Sequence, residues 1–295
     1  MNRKVITGEP FADSSVDTPE LRRWLLQQTE TGRPPDELLA ELMQRGLAEE
    51  QAVAIMTATF EARLAEVKAK KNTDPPLRVP DPPGVRRASV VRALDREVKV
   101  LFQLAQPRVI LFGGLLSNTE CDELVGQARR CLSSSNVIDL DTGDERRDAG
   151  RTSRGMAFTR AATPLIARIE RRIAALLDWP LENGEALQIL RYEVGQEYRP
   201  HYDYVDPAEA GAAKFLARGG QRVASLVMYL NTPTEGGATN FPDIGLEVAA
   251  VKGNAVFFSY ERPHPSTKTL HGGMPVQAGE KWVATKWLRV SQTDP

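Results

Sequence analysis

Apolar residues in the first 70 positions recur at the spacing of an amphipathic α-helix. One helix is predicted to follow Pro19, which suits a first helical turn, and a second to run from Pro35 to about Gly46. A third helix is predicted over residues 48–70. Its apolar stripe consists of Ala52, Ile55, Met56, Phe60, Leu64 and Val67. The pattern therefore predicts a small helical region at residues 1–71.

A proline-rich segment follows these helices and separates them from the rest of the chain. Five prolines stand between Asn72 and Gly84. Proline cannot continue a helix, and clustered prolines favour an extended backbone. We therefore predict a linker at residues 72–84 and a second domain at residues 85–295.

The second domain begins with mixed strand and helix patterns. The apolar run at residues 108–112 predicts a strand. Ser117 and Glu120 have the spacing of a capping box, which predicts a helix that continues to about Cys131. Thr163 stands before a proline and a second amphipathic stripe, and so marks the start of another helix.

From residue 186 onward the pattern changes to short apolar or alternating segments. They cover residues 186–192, 223–230, 247–251, 255–259 and 281–290. Glycine, proline and asparagine separate them at short intervals, which is typical of antiparallel strands. The predicted fold class is α+β: a jelly roll core with flanking helices on one face, preceded by the helical N-terminal region.

Composition and charge narrow the classes of function. The 295 residues, 41% hydrophobic and 26% charged, suffice for one large core and a smaller accessory unit, and the net charge of -1 offers no general attraction to nucleic acid or anionic membranes. The two cysteines, Cys121 and Cys131, suggest a reducing compartment. The N-terminus lacks the apolar stretch of a signal peptide, and no run of 18 apolar residues occurs. We therefore expect a cytoplasmic protein without nucleic-acid or membrane partners.

The candidate chemistry lies in the positions of the three histidines. His201 and Asp203 stand two residues apart, so on an extended strand both side chains would project from the same face. His271, from a distant strand, would complete a set of two imidazoles and one carboxylate, which is typical of non-haem Fe(II) oxygenases. An isolated His-x-Asp pair is a weak signal, and His264 is an alternative third ligand.

Ordered blocks of sequence around these residues strengthen the iron hypothesis. Residues 182–204 closely resemble the prolyl 4-hydroxylases, and further blocks match in the expected order, so that the resemblance spans roughly residues 105–292. The further blocks are residues 150–153, 236–242, 252–258, 270–276 and 279–287. The resemblance implies a double-stranded β-helix at about residues 185–292, with Fe(II) and 2-oxoglutarate bound between its two sheets. It does not cover residues 1–75.

The resemblance also implies which residues bind the cosubstrate. The three metal ligands would hold Fe(II) and leave positions open for 2-oxoglutarate and O2. Lys281 matches the lysine that pairs with the far carboxylate of 2-oxoglutarate, and Tyr192 matches the tyrosine whose hydroxyl assists it. Thr285 is a candidate for the lining of the same pocket, and ascorbate is a candidate reductant. Tyr192 and Thr285 could equally be half-buried strand residues without this role.

Residues that match substrate-contacting positions of the family are Tyr198, Trp287, Arg151 and Ser153. Aromatic side chains suit an extended, proline-containing chain, because polyproline II segments are already ordered before they bind. The alternative interpretation is that all four residues serve packing alone.

The function that the resemblance implies is Fe(II)- and 2-oxoglutarate-dependent prolyl 4-hydroxylation of a peptide or protein, with release of succinate and CO2. The carboxylate of Asp203 argues against the related iron halogenases, which carry a small residue there. One alternative is hydroxylation of a free amino acid or a small natural-product scaffold. Another is a catalytically silent jelly-roll binding module, in which the N-terminal helices dock a partner.

Overall fold

The computed structural model describes residues 17–30, 33–71, 75–134, 137–138, 145–146 and 152–293. The chain divides into two compact units, Met1–Asp74 and Pro75–Pro295. The division lies inside the proline-rich segment at residues 72–84. Within the described ranges, no helix has the length and apolar character needed to cross a membrane.

The first unit consists of helices α1 (Pro19–Glu30), α2 (Pro35–Gln44) and α3 (Glu49–Lys71). Its core is formed by Leu21, Leu25, Leu38, Leu42, Leu47, Ala52, Ile55 and Met56. The predicted stripe of α3 is thus buried at its N-terminal end, while the side chains of Leu64 and Val67 lie outside the described residues. Helix α2 stops before Gly46, whose positive φ of 99° is unfavourable for other residues.

The second unit is built mainly of strands, and helices flank them. The strands are β1 (Val90–Ala93), β2 (Arg96–Leu104), β3 (Arg108–Gly113), β4 (Ser133–Ser134), β5 (Val137–Ile138), β6 (Glu145–Arg146), β7 (Arg154–Phe158), β8 (Leu187–Tyr192), β9 (Tyr198–His201), β10 (Arg222–Tyr229), β11 (Glu235–Gly236), β12 (Thr239–Phe241), β13 (Leu246–Val248), β14 (Ala255–Ser259), β15 (His271–Gly273), β16 (Val276–Ala278) and β17 (Lys281–Arg289). The helices are α4 (Asn118–Ala128), α5 (Pro164–Leu177) and α6 (Ala212–Leu216), with 3-10 turns at Leu181–Asn183, Pro242–Ile244 and Pro265–Thr267.

Two antiparallel sheets face each other in this unit. Among the described strands, the larger sheet has nine in the order β1-β2-β3-β14-β10-β17-β8-β7-β4, and the smaller has four in the order β13-β12-β15-β9. An apolar cluster with residues from both sheets, including Leu190, Val283 and Phe241, fills the space between them. A second cluster packs the other face of the larger sheet against α4 and α5. The fold is the predicted α+β jelly roll, a double-stranded β-helix with flanking helices.

Strand β17 lies in the middle of the larger sheet and is buried along its whole length. Its side chains alternate between the two cores: Trp282, Ala284 and Leu288 join the cluster beside the helices, and Val283 joins the cluster between the sheets. Lys281, Thr285 and Trp287 therefore share the inner face with Val283. This alternation decides which β17 residues reach the space between the sheets.

Helices α4 and α5 begin where the sequence predicts. Ser117 Oγ accepts a hydrogen bond from Glu120 N at 3.1 Å, and Glu120 Oε2 accepts one from Ser117 N at 2.9 Å, which confirms the capping box. Thr163 Oγ1 caps α5 by accepting from the backbone N of Ile166 at 3.2 Å. Helix α4 ends at Ala128, however, before the predicted end at about Cys131.

The sequence analysis did not predict strands β1 and β2. Strand β2 has apolar residues at the alternate positions Val98, Val100, Phe102 and Leu104, of which Val98 is fully buried while its neighbours are partly or wholly exposed. This alternation is typical of a half-buried strand, so the sequence carried a signal for β2 that the prediction did not use. In the sheet, the first part of β2 (residues 96–99) pairs with β1, and its second part (residues 99–104) pairs with β3.

Candidate metal centre

The predicted ligands His201, Asp203 and His271 come together between the two sheets. His201 ends β9 and His271 begins β15, and the two residues face each other in the antiparallel pairing of these strands. Asp203 Oδ1 lies 3.5 Å from His201 Nε2, and Asp203 Oδ2 lies 3.4 Å from His271 Nε2. One ligand atom from each residue lies within 4.8 Å of the other two, as a shared metal ion requires.

The way in which Asp203 reaches this cluster differs from the sequence prediction. Strand β9 ends at His201, so the two residues do not project from the same face of one strand. Asp203 lies in the bend that follows β9, and this bend returns its carboxylate toward the imidazoles. The structure brings the three predicted ligands together, but the reason given for the convergence of His201 and Asp203 was wrong.

Hydrogen bonds orient both imidazoles for metal binding. His201 Nδ1 lies 2.9 Å from the carbonyl oxygen of Arg199, and His271 Nδ1 lies 3.0 Å from that of Thr269. A carbonyl oxygen only accepts hydrogen bonds, so each Nδ1 carries the proton. The Nε2 lone pair of each ring therefore points into the cluster, the arrangement usual for histidine ligands of metals.

The charge state of the cluster also suits a divalent cation. Burial by itself would raise the pKa of Asp203, but the adjacent His271 and His201 outweigh it and hold the pKa far below its ordinary value. Burial lowers the pKa of His271 to about 4. At neutral pH the site thus presents an ionised carboxylate and a neutral His271 imidazole. Two histidines and one carboxylate are the donor set of non-haem Fe(II) sites, which this cluster fits.

His264 lies outside this cluster. It is 4% exposed and caps the 3-10 turn Pro265–Thr267, where its Nδ1 accepts from the backbone N of Ser266 at 3.1 Å. The other described residues supply no second group of three or more metal-binding side chains. The alternative ligand set with His264 is therefore not the one that the fold brings together.

Lys281 lies in the same inter-sheet space and is 3% exposed. It pairs with Tyr192 across β17 and β8, and its Nζ lies 5.5 Å from the centroid of the Tyr192 ring. Burial lowers the pKa of Lys281 to about 8. In the parts of the chain that the structure describes, no carboxylate forms a salt bridge with it. A buried cation without a partner is costly, so this position suits an anionic ligand that supplies the missing charge.

Two glycines keep the space around Lys281 open. A Cβ atom at Gly273 would lie 3.6 Å from Lys281 Nζ, and one at Gly237 would lie 3.2 Å from Lys281 Cδ. Larger residues at these positions would fill the approach to the ammonium group. The lysine therefore lies beside the strand that carries His271, and this placement suits an anionic ligand that reaches from the metal to the ammonium group.

Comparisons with known proteins agree with this arrangement. Residues 187–289 match the family model of the 2OG-Fe(II) oxygenase superfamily. Prolyl 4-hydroxylase 1 of Arabidopsis thaliana is 42% identical over 205 residues, which cover 63% of this chain and 70% of that relative. Prolyl 4-hydroxylase 2 of the same organism is 37% identical over 213 residues, which cover 64% of this chain and 70% of that relative. The chain belongs to the prolyl 4-hydroxylase family.

As a member of the prolyl 4-hydroxylase family, the protein is a 2-oxoglutarate-dependent dioxygenase, and its cofactor and cosubstrates are Fe(II), 2-oxoglutarate and O2. Among solved structures, the viral collagen prolyl hydroxylase of Paramecium Bursaria Chlorella virus-1, in complex with 2-oxoglutarate, is 29% identical to it. That match covers 61% of this chain and 94% of the viral chain, with a TM-score of 0.48.

The other predicted cosubstrate residues of this dioxygenase lie on β17, which carries Lys281, and on its neighbour β8. Tyr192 ends β8 and is 5% exposed. Thr285 is also 5% exposed and lies four residues after Lys281 on the same face of β17. It pairs with Gln188 in β8 and with Val227 in β10. Both side chains are thus buried on the face where the cosubstrate would lie.

The predicted substrate residues of the family lie at two places. Tyr198 begins β9 and stacks on the His201 ring, with centroids 3.7 Å apart and an angle of 22° between the planes. Trp287 lies on the inner face of β17, where the Arg222 guanidinium lies 4.1 Å from its ring centroid. Ser153 is 2% exposed. Arg151 lies outside the described residues.

The segment that contains Ser153 runs beside the metal-bearing strand. The hydroxyl of Thr152 accepts from the backbone N of Glu197 at 2.9 Å and donates to its carbonyl oxygen at 3.1 Å. Glu197 directly precedes Tyr198, so these bonds tie residues 152–153 to the start of β9. Of the four predicted substrate residues, Tyr198 has a direct contact with a metal ligand.

Sequence reasoning missed Ser225 and Tyr260 of this enzyme. Ser225 Oγ donates to Asp203 Oδ2 at 2.5 Å, and the hydroxyl of Tyr260 lies 3.0 Å from Ser225 Oγ. A serine in the middle of the apolar strand β10 is a signal that could have drawn attention to that position. Tyr260 carries no comparable signal, because it follows Ser259 at the end of a mostly apolar run, where a tyrosine is ordinary.

Proposed function

We propose that this enzyme hydroxylates proline residues of a peptide or protein at C4 and converts 2-oxoglutarate and O2 to succinate and CO2. The observation that carries the oxygenase chemistry is the cluster of three ligand atoms within 4.8 Å beside a buried lysine. The substrate class is supported by the Arabidopsis thaliana relatives, which are named prolyl 4-hydroxylases.

In this proposal His201, Asp203 and His271 hold Fe(II) through the atoms that already converge. When bound, iron and 2-oxoglutarate supply the oxidising chemistry, in which one oxygen atom of O2 enters succinate and the other enters the hydroxylated product. Lys281 binds the far carboxylate of 2-oxoglutarate by a charge-assisted hydrogen bond, which is strong because the group is buried. Tyr192 and Thr285 line the same pocket.

Tyr198 and Trp287 are proposed to contact the substrate chain. The stacking of Tyr198 on His201 gives an aromatic surface next to the metal, so a chain lying on Tyr198 brings its proline close to the iron. A preordered polyproline II segment loses little entropy when it binds such a surface. Ser153 and Arg151 belong to the segment proposed to close over the substrate.

Three further proposals accompany this one. Ascorbate is the candidate reductant, the location is cytoplasmic, and the N-terminal helices dock a partner protein. Each can be examined separately from the catalytic activity, by reductant dependence, by localisation and by deletion of residues 1–71.

The competing functions are less well supported. A catalytically silent module has no need for an iron ligand set, or for a buried lysine without a carboxylate partner among the described residues. A hydroxylase of free amino acids or small scaffolds would use the same centre. The similarity to relatives named for prolyl hydroxylation favours a peptide substrate over both.

The decisive experiment measures succinate with Fe(II), 2-oxoglutarate and a library of proline-rich peptides, with free proline and other amino acids in parallel. Peptide products are then examined by mass spectrometry for one added oxygen and by amino-acid analysis for 4-hydroxyproline. His271→Ala and Lys281→Ala should lose activity, whereas Lys252→Ala, which removes a surface lysine paired with Asp122, should keep it.

Each outcome separates the candidate functions. Peptide-dependent succinate and 4-hydroxyproline support the proposal. Turnover of free amino acids without any turnover of peptides would favour the small-molecule hydroxylase. If a folded protein with bound iron forms no succinate with any substrate, the enzymatic proposals are wrong and the binding module is favoured.

A further inference from the structure

The carboxylate of Asp203 is held by a chain of two hydroxyl groups. Ser225 Oγ lies 2.5 Å from Asp203 Oδ2, and Tyr260 Oη lies 3.0 Å from Ser225 Oγ. The three residues are 6%, 0% and 1% exposed, in the order Asp203, Ser225 and Tyr260. They come from three separate segments: the bend after β9, the middle of β10 and the residue that follows β14.

The chemistry of these groups fixes the direction of both hydrogen bonds. An ionised carboxylate only accepts, so Ser225 must donate its single hydroxyl proton to Asp203. The Ser225 oxygen then accepts the hydrogen bond from Tyr260. Tyr260 has that proton to give, because burial raises its pKa well above the ordinary value. The result is a relay in which Tyr260 orients Ser225 and Ser225 orients Asp203.

The three ligands differ in what supports them. The imidazoles of His201 and His271 are oriented by backbone carbonyl groups, and both residues belong to strands. Asp203 lies in a bend, where strand pairing does not determine the rotation of its side chain. The support for Asp203 therefore comes from side chains, and a single substitution can remove it.

Ser225 and Tyr260, which support Asp203, are themselves held in place by strand pairing and packing. Ser225 pairs with Phe258 in β14 on one side and with Trp287 in β17 on the other. The backbone N of Tyr260 donates to the carbonyl oxygen of Val223 at 2.9 Å, and its ring packs edge-on against Tyr204. Both hydroxyls thus project from the centre of the larger sheet, which leaves the relay little freedom to move.

We propose that Ser225 and Tyr260 are positioning residues that hold the Asp203 carboxylate in its metal-binding orientation. Because Oδ2 carries the Ser225 hydrogen bond, Oδ1 is favoured as the single oxygen that binds the metal. A carboxylate that bound through both oxygens would occupy a position that 2-oxoglutarate or O2 needs. This inference rests on the iron site proposed above, and it adds residues outside the ligand set.

The test uses the full-length apoprotein and Co(II), whose visible absorption reports both affinity and ligand geometry. The variants are Ser225→Ala, Ser225→Thr, Tyr260→Phe and the control Ser259→Ala. Ser259 is a serine 5% exposed in the neighbouring strand β14, where it pairs with Ala224 rather than Ser225. Thermal unfolding without metal shows whether each variant is folded.

Ser225→Ala should weaken Co(II) binding about tenfold to a hundredfold, the usual cost of losing a hydrogen-bond partner of a metal ligand, and should alter the visible spectrum. Tyr260→Phe should weaken binding in the same direction but less, since Ser225 can still donate. Ser225→Thr keeps the hydroxyl and should restore both affinity and spectrum. Ser259→Ala should bind Co(II) as the wild type does.

Several results would overturn the inference. A folded Ser225→Ala protein with wild-type affinity and spectrum would do so, as would an equal loss of affinity in Ser259→Ala. If Tyr260→Phe binds Co(II) with wild-type affinity and spectrum, the proposed role of Tyr260 in orienting Ser225 is wrong. His271→Ala serves to separate this inference from the metal site: if it binds Co(II) as well as the wild type, the proposed iron site is itself wrong.

Discussion

Strand β17 carries two buried lysines whose electrostatic situations are opposite, and this contrast leads to a quantitative prediction. Lys286 is 2% exposed and its Nζ lies 2.6 Å from Oε1 of Glu170 in α5. Lys281 is 3% exposed and, among the described residues, has no salt-bridge partner. We therefore expect replacement of the two lysines by methionine to change stability in opposite directions.

The magnitude for Lys281 follows from its pKa, which burial lowers from 10.5 to about 8. One pKa unit corresponds to about 1.4 kcal/mol, so keeping this ammonium charged in the folded state costs about 3 kcal/mol. Lys281→Met removes that cost and should raise the free energy of unfolding by up to about 3 kcal/mol at pH 7. Lys286→Met leaves Glu170 buried without its partner and should lower it by about 3–5 kcal/mol.

The pH dependence provides a second measure of the same effect. Between pH 8 and 10.5 the folded wild type has released the Lys281 proton while the unfolded chain still holds it. The unfolded state then binds more protons, so wild-type stability should rise with pH across this window. The Lys281→Met protein lacks this contribution, and its stability should rise less over the same range.

Urea denaturation of the apoprotein measures these stabilities, and repeating it with Mn(II) and 2-oxoglutarate measures cosubstrate binding. At a 2-oxoglutarate concentration about 100 times Kd, the wild type should gain about 2.7 kcal/mol, and so should any variant that still binds it normally. Lys281→Met should lose this gain. A Lys281→Met protein that is destabilised as much as Lys286→Met, yet is still stabilised by 2-oxoglutarate, would refute the reasoning.

Further predictions concern the same centre. The kcat/KM for 2-oxoglutarate should fall above about pH 8 as Lys281 loses its proton, and Lys281→Arg should abolish this fall; initial rates of succinate formation test it. Gly272→Ala should lower Tm, because its Cβ would lie 2.9 Å from the Tyr198 carbonyl oxygen, whereas Gly126→Ala in α4 has open space and should not lower it. In a spectrophotometric titration, the His264→Ala protein should bind Co(II) as the wild type does, whereas the His271→Ala protein should not bind it.

Local features of the fold could be predicted from sequence because they depend on neighbouring residues. The Ser117 and Glu120 capping box, the Thr163 cap and the helical stripe of α3 each involve residues a few positions apart. Strands with strong apolar patterns, such as Ala255–Ser259, were found for the same reason. Strand β2 was missed although its apolar residues alternate with polar ones; in the structure it lies between β1 and β3 and pairs with both.

In the metal centre, too, some features could be predicted from the sequence and others depend on tertiary structure. Residue types, spacing and family resemblance predicted that His201, Asp203 and His271 come together, as they do in the structure. That Lys281 binds the cosubstrate stays a prediction. How the ligands converge could not be predicted: the pairing of β9 with β15 and the bend after His201 are tertiary features. The hydroxyl relay through Ser225 and Tyr260 was missed because its bonds join three segments distant in sequence.

The two lysines of β17 show most directly what each level of structure decides. Strand periodicity alone places Lys281 and Lys286, five positions apart, on opposite faces of β17. It does not say which face meets a carboxylate. Glu170, which lies in a helix 116 residues earlier, contacts Lys286. The opposite face of β17, which carries Lys281, is turned toward the metal centre. Sequence determined the alternation, which is a property of the backbone. Packing of distant elements decided which lysine is neutralised by the protein and which is left for a ligand.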